Sequence, residues 1–229
     1  MADAADYTYA DIAKMIDHSL LQPATSREEL ERGCRLAREY EVATVCILPY
    51  AVPLCAEILR GSTVRVGTTI GFPHGGHHSA VKVLEALHAL GEGAVELDMV
   101  TNISAVVSGD WERVREDIAA VVEAAHDRNA WVKVIFENCY LDRGQKVRLC
   151  RICGEVGADW VKTSTGYGTG GATLEDVKLM REHSPARVQV KAAGGIRDLD
   201  TLLQYRALGV TRIGASRTAE ILEECKRRV

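Results

Sequence analysis

The sequence predicts a single α/β domain over residues 1–229, a (β/α)8 (TIM) barrel with a short N-terminal helix. Three observations carry that prediction. Eight short β-branched runs recur along the chain, amphipathic helical patterns separate them, and no linker or low-complexity tract divides the 229 residues. Such alternation marks βα units on a parallel sheet, and one barrel commonly occupies about 200–250 residues.

Strands are expected at 15–20 (MIDHSL), 43–48 (ATVCIL), 64–70 (VRVGTTI) and 94–100 (AVELDMV). Four more are expected at 131–137 (WVKVIFE), 159–164 (DWVKTS), 187–193 (RVQVKAA) and 210–215 (VTRIGA). Each is a short apolar run bounded by turn residues. Between them, SREE at 26–29 has the spacing of a capping box ahead of LERGCRLAREY. The helix SAVKVLEALHALG is expected to start at Ser79 and stop at Gly91, read as the residue just past its end. Asp110 precedes WERVREDIAAVVEAAHDR, and a Gly-Gly pair precedes TLEDVKLMREH. An open doubly wound sheet is the alternative. It would show a glycine-rich nucleotide turn after its first strand, and LLQPATS is not one.

Composition removes several function classes. A chain that is 47% hydrophobic and 26% charged is ordinary for a soluble globular protein, and a net charge of −4 argues against a general nucleic-acid or membrane surface. An anionic ligand then needs a local positive site. No run approaches the roughly 18–20 apolar residues of a membrane span. The start MADAADYTYADIAK has neither signal nor transit character, so a cytoplasmic location is expected. Seven scattered cysteines suit reduced, buried or half-buried thiols better than a disulfide framework. The C-x-x-C spacing of Cys150 and Cys153 falls inside a helical pattern, where packing is the simpler reading than redox chemistry.

The charged residues inside the strands point to chemistry. Lys133, Lys162 and Lys191 lie 29 residues apart on three consecutive strands and are expected in register, near one height. Glu96 and Asp98 share one face of the neighbouring strand by its period of two, with Asp98 nearer the C-terminal end. A single strand lysine is commonly an edge residue or an interior ion pair. Three together, with an acid one strand away, repel one another, so at least one is expected to have a depressed pKa, and a neutral amine is what Schiff-base formation on a carbonyl needs. AAGGIR (192–197) after the seventh strand and IGAS (213–216) at the end of the eighth sit where barrels bind phosphate. FPHGGHHS (72–79) offers His74, His77 and His78 to a metal. Adjacent His77 and His78 do not converge readily on one ion, so a loop entering a helix is expected instead.

With these pieces in place the chain resembles the deoxyribose-phosphate aldolase family of class I aldolases. The motifs run through almost the whole chain: IDHSLL (16–21), VCILP (45–49), IGFPHG (70–75), ELDMVTNI (96–103), VKVIFE (132–137), ADWVKTSTG (158–166), GGATLEDV (170–177), VKAAGGIRD (190–198) and RIGAS (212–216). VKTSTG together with KAAGGIR is the specific pair. The resemblance implies reversible cleavage of 2-deoxy-D-ribose 5-phosphate to D-glyceraldehyde 3-phosphate and acetaldehyde, in deoxyribonucleotide catabolism, without metal or organic cofactor. It implies Lys162 as the Schiff-base lysine and Lys191 as the second lysine, whose charge lowers the pKa of the first. Asp98 is implied as the proton-relaying acid, acting through a water, and Lys133 as its support. Asp17 and Cys46 match pocket positions. Gly194, Gly195, Gly214 and Ser216 match phosphate contacts, and Thr165 and Gly166 flank the nucleophile. Ser19, Leu48 and Tyr167 depart from the family pattern, and Arg217 stands where a second serine is common.

The implied partners are a small phosphosugar and acetaldehyde, with no nucleic acid and no membrane, in a homodimer or higher homo-oligomer. Two other readings stay open on the sequence. One is a transaldolase-like or isomerase activity on the same lysine and phosphate loops; the other is a non-catalytic phosphosugar binder.

Overall fold

Along most of the strands aliphatic residues recur at alternate positions, and this period of two divides the side chains between two sides of a closed sheet. The computed structural model describes residues 7–229. Eight parallel strands follow in chain order: β1 Ile16–Leu20, β2 Thr44–Ile47, β3 Arg65–Ile70, β4 Glu96–Val100, β5 Trp131–Ile135, β6 Trp160–Lys162, β7 Gln189–Ala193 and β8 Arg212–Ala215. They close into a barrel when β1 pairs with β8, Asp17 opposite Gly214. The expected (β/α)8 architecture is the observed one.

Among the described residues ten α-helices surround the strands. They are α1 Tyr9–Ala13, α2 Arg27–Glu39, α3 Val52–Leu59, α4 Ser79–Gly91, α5 Ile103–Ser108, α6 Trp111–His126, α7 Arg143–Glu155, α8 Leu174–His183, α9 Leu199–Ala207 and α10 Thr218–Arg228. Local sequence explains their starts. The Ser26 hydroxyl accepts the Glu29 N–H while the Glu29 carboxylate takes the Ser26 N–H, the capping box ahead of α2. Asp110 and Thr173 cap α6 and α8 by accepting the Arg113 and Asp176 N–H groups, without the reciprocal bond. α4 ends at Gly91, but Gly91 is its last helical residue. The left-handed residue that turns the chain away is Gly93, at φ 111°, because that conformation belongs just past the cap residue Glu92.

The core lies between strands and helices. Ile16, Val45, Leu97, Val132, Val161, Val190 and Ile213 pack there against Leu30, Val52, Ile118, Leu149, Val177, Leu202 and Ile221. Each buried side chain of this kind contributes about 1.5–3 kcal/mol by leaving water. Cys150 and Cys153 belong to this layer on α7. Burial pushes the Cys150 thiol up to about 11 and the Cys153 thiol well above its usual range, the opposite of a redox-active pair. Cys139 alone among the seven cysteines is exposed, against the expectation of buried or half-buried thiols. No helix among the described residues is long and apolar enough to cross a membrane.

Candidate active site

The strand positions that skip the apolar layer carry the chemistry. Asp17, Thr44, Cys46, Glu96, Asp98, Lys133, Lys162, Lys191 and Arg212 are all buried, interleaved with the aliphatic residues of the core. Lys162 and Lys191 are direct partners across β6 and β7. Lys133 is not in register with them: it stands opposite Trp160, and Ile135 stands opposite Lys162. The 29-residue spacing counts residues along the chain, whereas alignment across strands follows the stagger of the barrel.

Asp98 is the hub. Its Oδ2 accepts from Lys162 Nζ at 2.7 Å and from Lys191 Nζ at 2.7 Å, and its Oδ1 accepts from Lys133 Nζ at 2.9 Å. Burial works against its charge, yet the three lysines together hold its carboxyl well below the usual range. Below the hub, Lys133 also reaches Glu96 at 2.6 Å, while Lys191 donates to Asp17 Oδ2 at 2.5 Å. Arg212 spans both acids, with Nη1 2.7 Å from Asp17 Oδ1 and a bidentate pair to Glu96 at 3.0 Å on each arm.

The three lysines diverge in how firmly they hold a proton. Burial pushes Lys191 down, but Asp17 and Asp98 outweigh it and hold the ammonium above its ordinary range. Lys133, facing three carboxylates, is held well above. Lys162 alone is lowered, first by burial and then by the Lys191 charge, with Asp98 opposing. The like-charge effect expected from the sequence is present but ranks behind desolvation.

Above this floor opens a cavity of about 220 Å³ at the C-terminal ends of the strands. Ten of the twelve expected site residues line it: Asp17, Cys46, Lys162, Thr165, Gly166, Lys191, Gly194, Gly195, Gly214 and Ser216. Asp98 and Lys133 lie beneath. Asp17 differs from a simple pocket contact, since both its oxygens are taken by Lys191 and Arg212. A Cβ on Gly214 would come within 2.9 Å of the Ala193 Cβ and 3.5 Å of Lys191 Cε, so glycine keeps this wall open. Gly194, at φ 88°, begins a turn whose next residues include Arg197, another cavity residue. Arg217 is exposed and does not line the cavity, so Arg197 is the guanidinium beside it. α10 starts beside Ser216 with no side-chain cap, which leaves first-turn N–H groups for an anion.

Two functional neighbours, Arg212 and Glu137, are not flagged by the sequence. Arg212 has one signal, the period of two that puts it on the same face as Gly214. Glu137, a non-glycine residue at φ 57°, accepts from the Thr165 N–H at 3.2 Å and from the Thr165 hydroxyl, mooring the loop after Lys162. Tyr167 extends across the mouth, its hydroxyl donating to the Leu21 carbonyl at 2.6 Å and its ring edge-on to Phe72. His74, His77 and His78 are exposed, and His78 Nδ1 accepts the Ala80 N–H at the start of α4. Among the described residues no group of three His, Cys, Asp or Glu is placed to hold a metal ion.

The model of the DeoC/LacD family of aldolases matches residues 12–216. The chain is 58% identical over 225 residues to the deoxyribose-phosphate aldolase of Rhodopirellula baltica, covering 98% of this chain and 93% of that one. Against the deoxyribose-phosphate aldolase of Caldanaerobacter subterraneus subsp. tengcongensis it is 48% identical over 218 residues, with 95% and 94% covered. Among solved structures, the deoxyribose phosphate aldolase of Aeropyrum pernix, described as a tetramer, superposes with a TM-score of 0.89 at 31% identity, covering 97% of this chain and 94% of that one.

Proposed function

The chain belongs to the DeoC/LacD family of aldolases, and from that premise we propose that it is a class I deoxyribose-phosphate aldolase with Lys162 as its Schiff-base residue. It reversibly cleaves 2-deoxy-D-ribose 5-phosphate to D-glyceraldehyde 3-phosphate and acetaldehyde. One observation carries the assignment of the nucleophile: of three buried strand lysines, Lys162 alone borders the cavity with its ammonium form disfavoured.

The chemistry follows from the arrangement. The open-chain sugar presents its aldehyde carbon to the Lys162 amine, which adds to give a carbinolamine and then, on loss of water, an iminium. The iminium is an electron sink. Asp98, held as a carboxylate, takes the proton of the C3 hydroxyl through a water; the C2–C3 bond breaks and its electron pair moves into an enamine on Lys162. Glyceraldehyde 3-phosphate leaves, C2 takes back a proton, and water releases acetaldehyde and the free amine. Lys191 stays charged beside the developing charges. Gly194, Gly195, Arg197, Ser216 and the open end of α10 form the phosphate end of the cavity, whose binding energy orients the aldehyde. Assembly as a homo-oligomer is proposed from the tetramer described for the Aeropyrum pernix relative.

The test is borohydride reduction in the presence of acetaldehyde, followed by peptide mass mapping, beside an assay of deoxyribose 5-phosphate cleavage. A reduced two-carbon adduct on Lys162 is expected, absent in Lys162→Leu, with cleavage in that variant reduced about 10⁴-fold or more. Cleavage without an adduct, or an adduct on Lys133 or Lys191, overturns the assignment.

A further inference from the structure

The barrel interior holds three carboxylates, Asp17, Glu96 and Asp98, against four cations, Lys133, Lys162, Lys191 and Arg212. The charged groups on the strands around Lys162 are Asp17 from β1, Glu96 and Asp98 from β4, Lys133 from β5, Lys191 from β7 and Arg212 from β8; Glu137, just past the end of β5, is also buried, and its carboxylate is taken by the Thr165 N–H and hydroxyl. Cys46 on β2 also faces Lys162, but burial pushes its thiol up to about 11, so it brings no charge near neutrality. Arg65 approaches Glu96 at 3.4 Å from the bottom of the barrel, with its side chain 44% exposed and therefore screened by solvent. Among the strand positions of the barrel interior one cation is in excess.

Resting on the assignment of Lys162 as nucleophile, we propose that Arg212 and Glu96 are positioning residues that set its charge state. A guanidinium keeps its proton in proteins, so Arg212 consumes part of the negative charge of Asp17 and Glu96 permanently, and the set of strand charges is neutral only when one lysine is an amine. Geometry selects which. Lys133 bonds Glu96 and Asp98 and has Asp17 at 3.4 Å. Lys191 bonds Asp17 and Asp98. Lys162 has Asp98 alone, through an oxygen already shared with Lys191, and it borders the cavity through which a proton leaves. Lys162 is the group that gives its proton up. Neither Arg212 nor Glu96 lines the cavity, so both act through the network.

The experiment is the pH dependence of reductive trapping of acetaldehyde on Lys162, read by mass spectrometry, across a series that changes the charge count. Arg212→Met leaves three carboxylates against three cations, and the trapping midpoint is expected to rise by about one pH unit or more, a tenfold or larger loss of amine at pH 7. Glu96→Gln moves it down. The double variant restores an excess of one cation and returns the midpoint close to that of the unaltered protein, and Arg212→Lys holds it there. A purely structural role would lower the folded fraction and leave the midpoint in place. If Arg212→Met does not fold, the decisive comparison is Glu96→Gln with the double variant, which differ by the Arg212 charge alone and must differ in midpoint. Equal midpoints overturn the proposal. No adduct on Lys162 in the unaltered protein is a separate result: it removes the nucleophile assignment and this inference with it.

Discussion

On β5, Val132 and Val134 pack under the helices while Lys133 between them meets Glu96 and Asp98 on the barrel axis; on β7, Val190 and Lys191 divide the same way. The outer side of the wall is held by shape and exclusion of water. The inner side, which in many barrels is filled by branched aliphatic side chains, is held here by opposite charges in contact. On the outside a substitution leaves a hole; on the inside it leaves an unbalanced charge. The two sides therefore fail differently, and only the inside couples stability to catalysis.

Asp98→Asn tests that coupling at its strongest point. Three lysines lose their shared counter-charge, so folding stability is expected to fall by about 3–5 kcal/mol, and turnover of the remaining folded protein by about 10²–10⁴-fold. Urea titration and a cleavage assay read the two effects; a variant within 1 kcal/mol of the parent would show that the inner network is not what holds the barrel interior. Leu97→Ala, the adjacent residue on the outer side, is expected to cost about 3 kcal/mol by cavity formation while turnover per folded molecule stays within about twofold. A large loss of turnover there would erase the distinction between the two sides.

The smallest effect sharpens the comparison at its exception. His18 lies with the outer layer on β1, its Nδ1 2.8 Å from the Thr218 hydroxyl of α10, and burial lowers its pKa to about 4. The unfolded chain takes up a proton near pH 6.5 and the folded chain does not, so the unfolded state binds more protons below that point and stability falls with pH. About 2 kcal/mol is expected to be lost between pH 7 and pH 5, and His18→Asn should remove that part of the slope in pH-dependent urea titrations. An unchanged slope would assign the titration to another group.

The strands were legible because aliphatic and β-branched runs stop at turn residues; β1, expected at 15–20, runs Ile16–Leu20. β6 is shorter than the expected 159–164, ending at Lys162. Beyond it Thr163 pairs with Ala193, its hydroxyl donating to the carbonyl and accepting from the N–H, as the chain bends into the loop. In the site, Lys162, Lys191 and Asp98 could be read from strand position alone. The offset of Lys133 could not, since inter-strand register depends on how the barrel closes. Nor did local propensity flag Glu137, because left-handed backbone in a glutamate is imposed by its surroundings. Arg212 was hidden by ordinariness, one basic residue in a short strand.

Asp17 on β1 meets Lys191 on β7 and Arg212 on β8, partners 174 and 195 residues away along the chain. Synthesis delivers β8 last, and contacts of such separation form only when the ring of strands shuts. A nascent or truncated chain that already carries Lys162 but not β8 lacks Arg212, one of the four cations around the barrel axis. On the proposal above, the charge set around Lys162 is complete only once the final strand is in place.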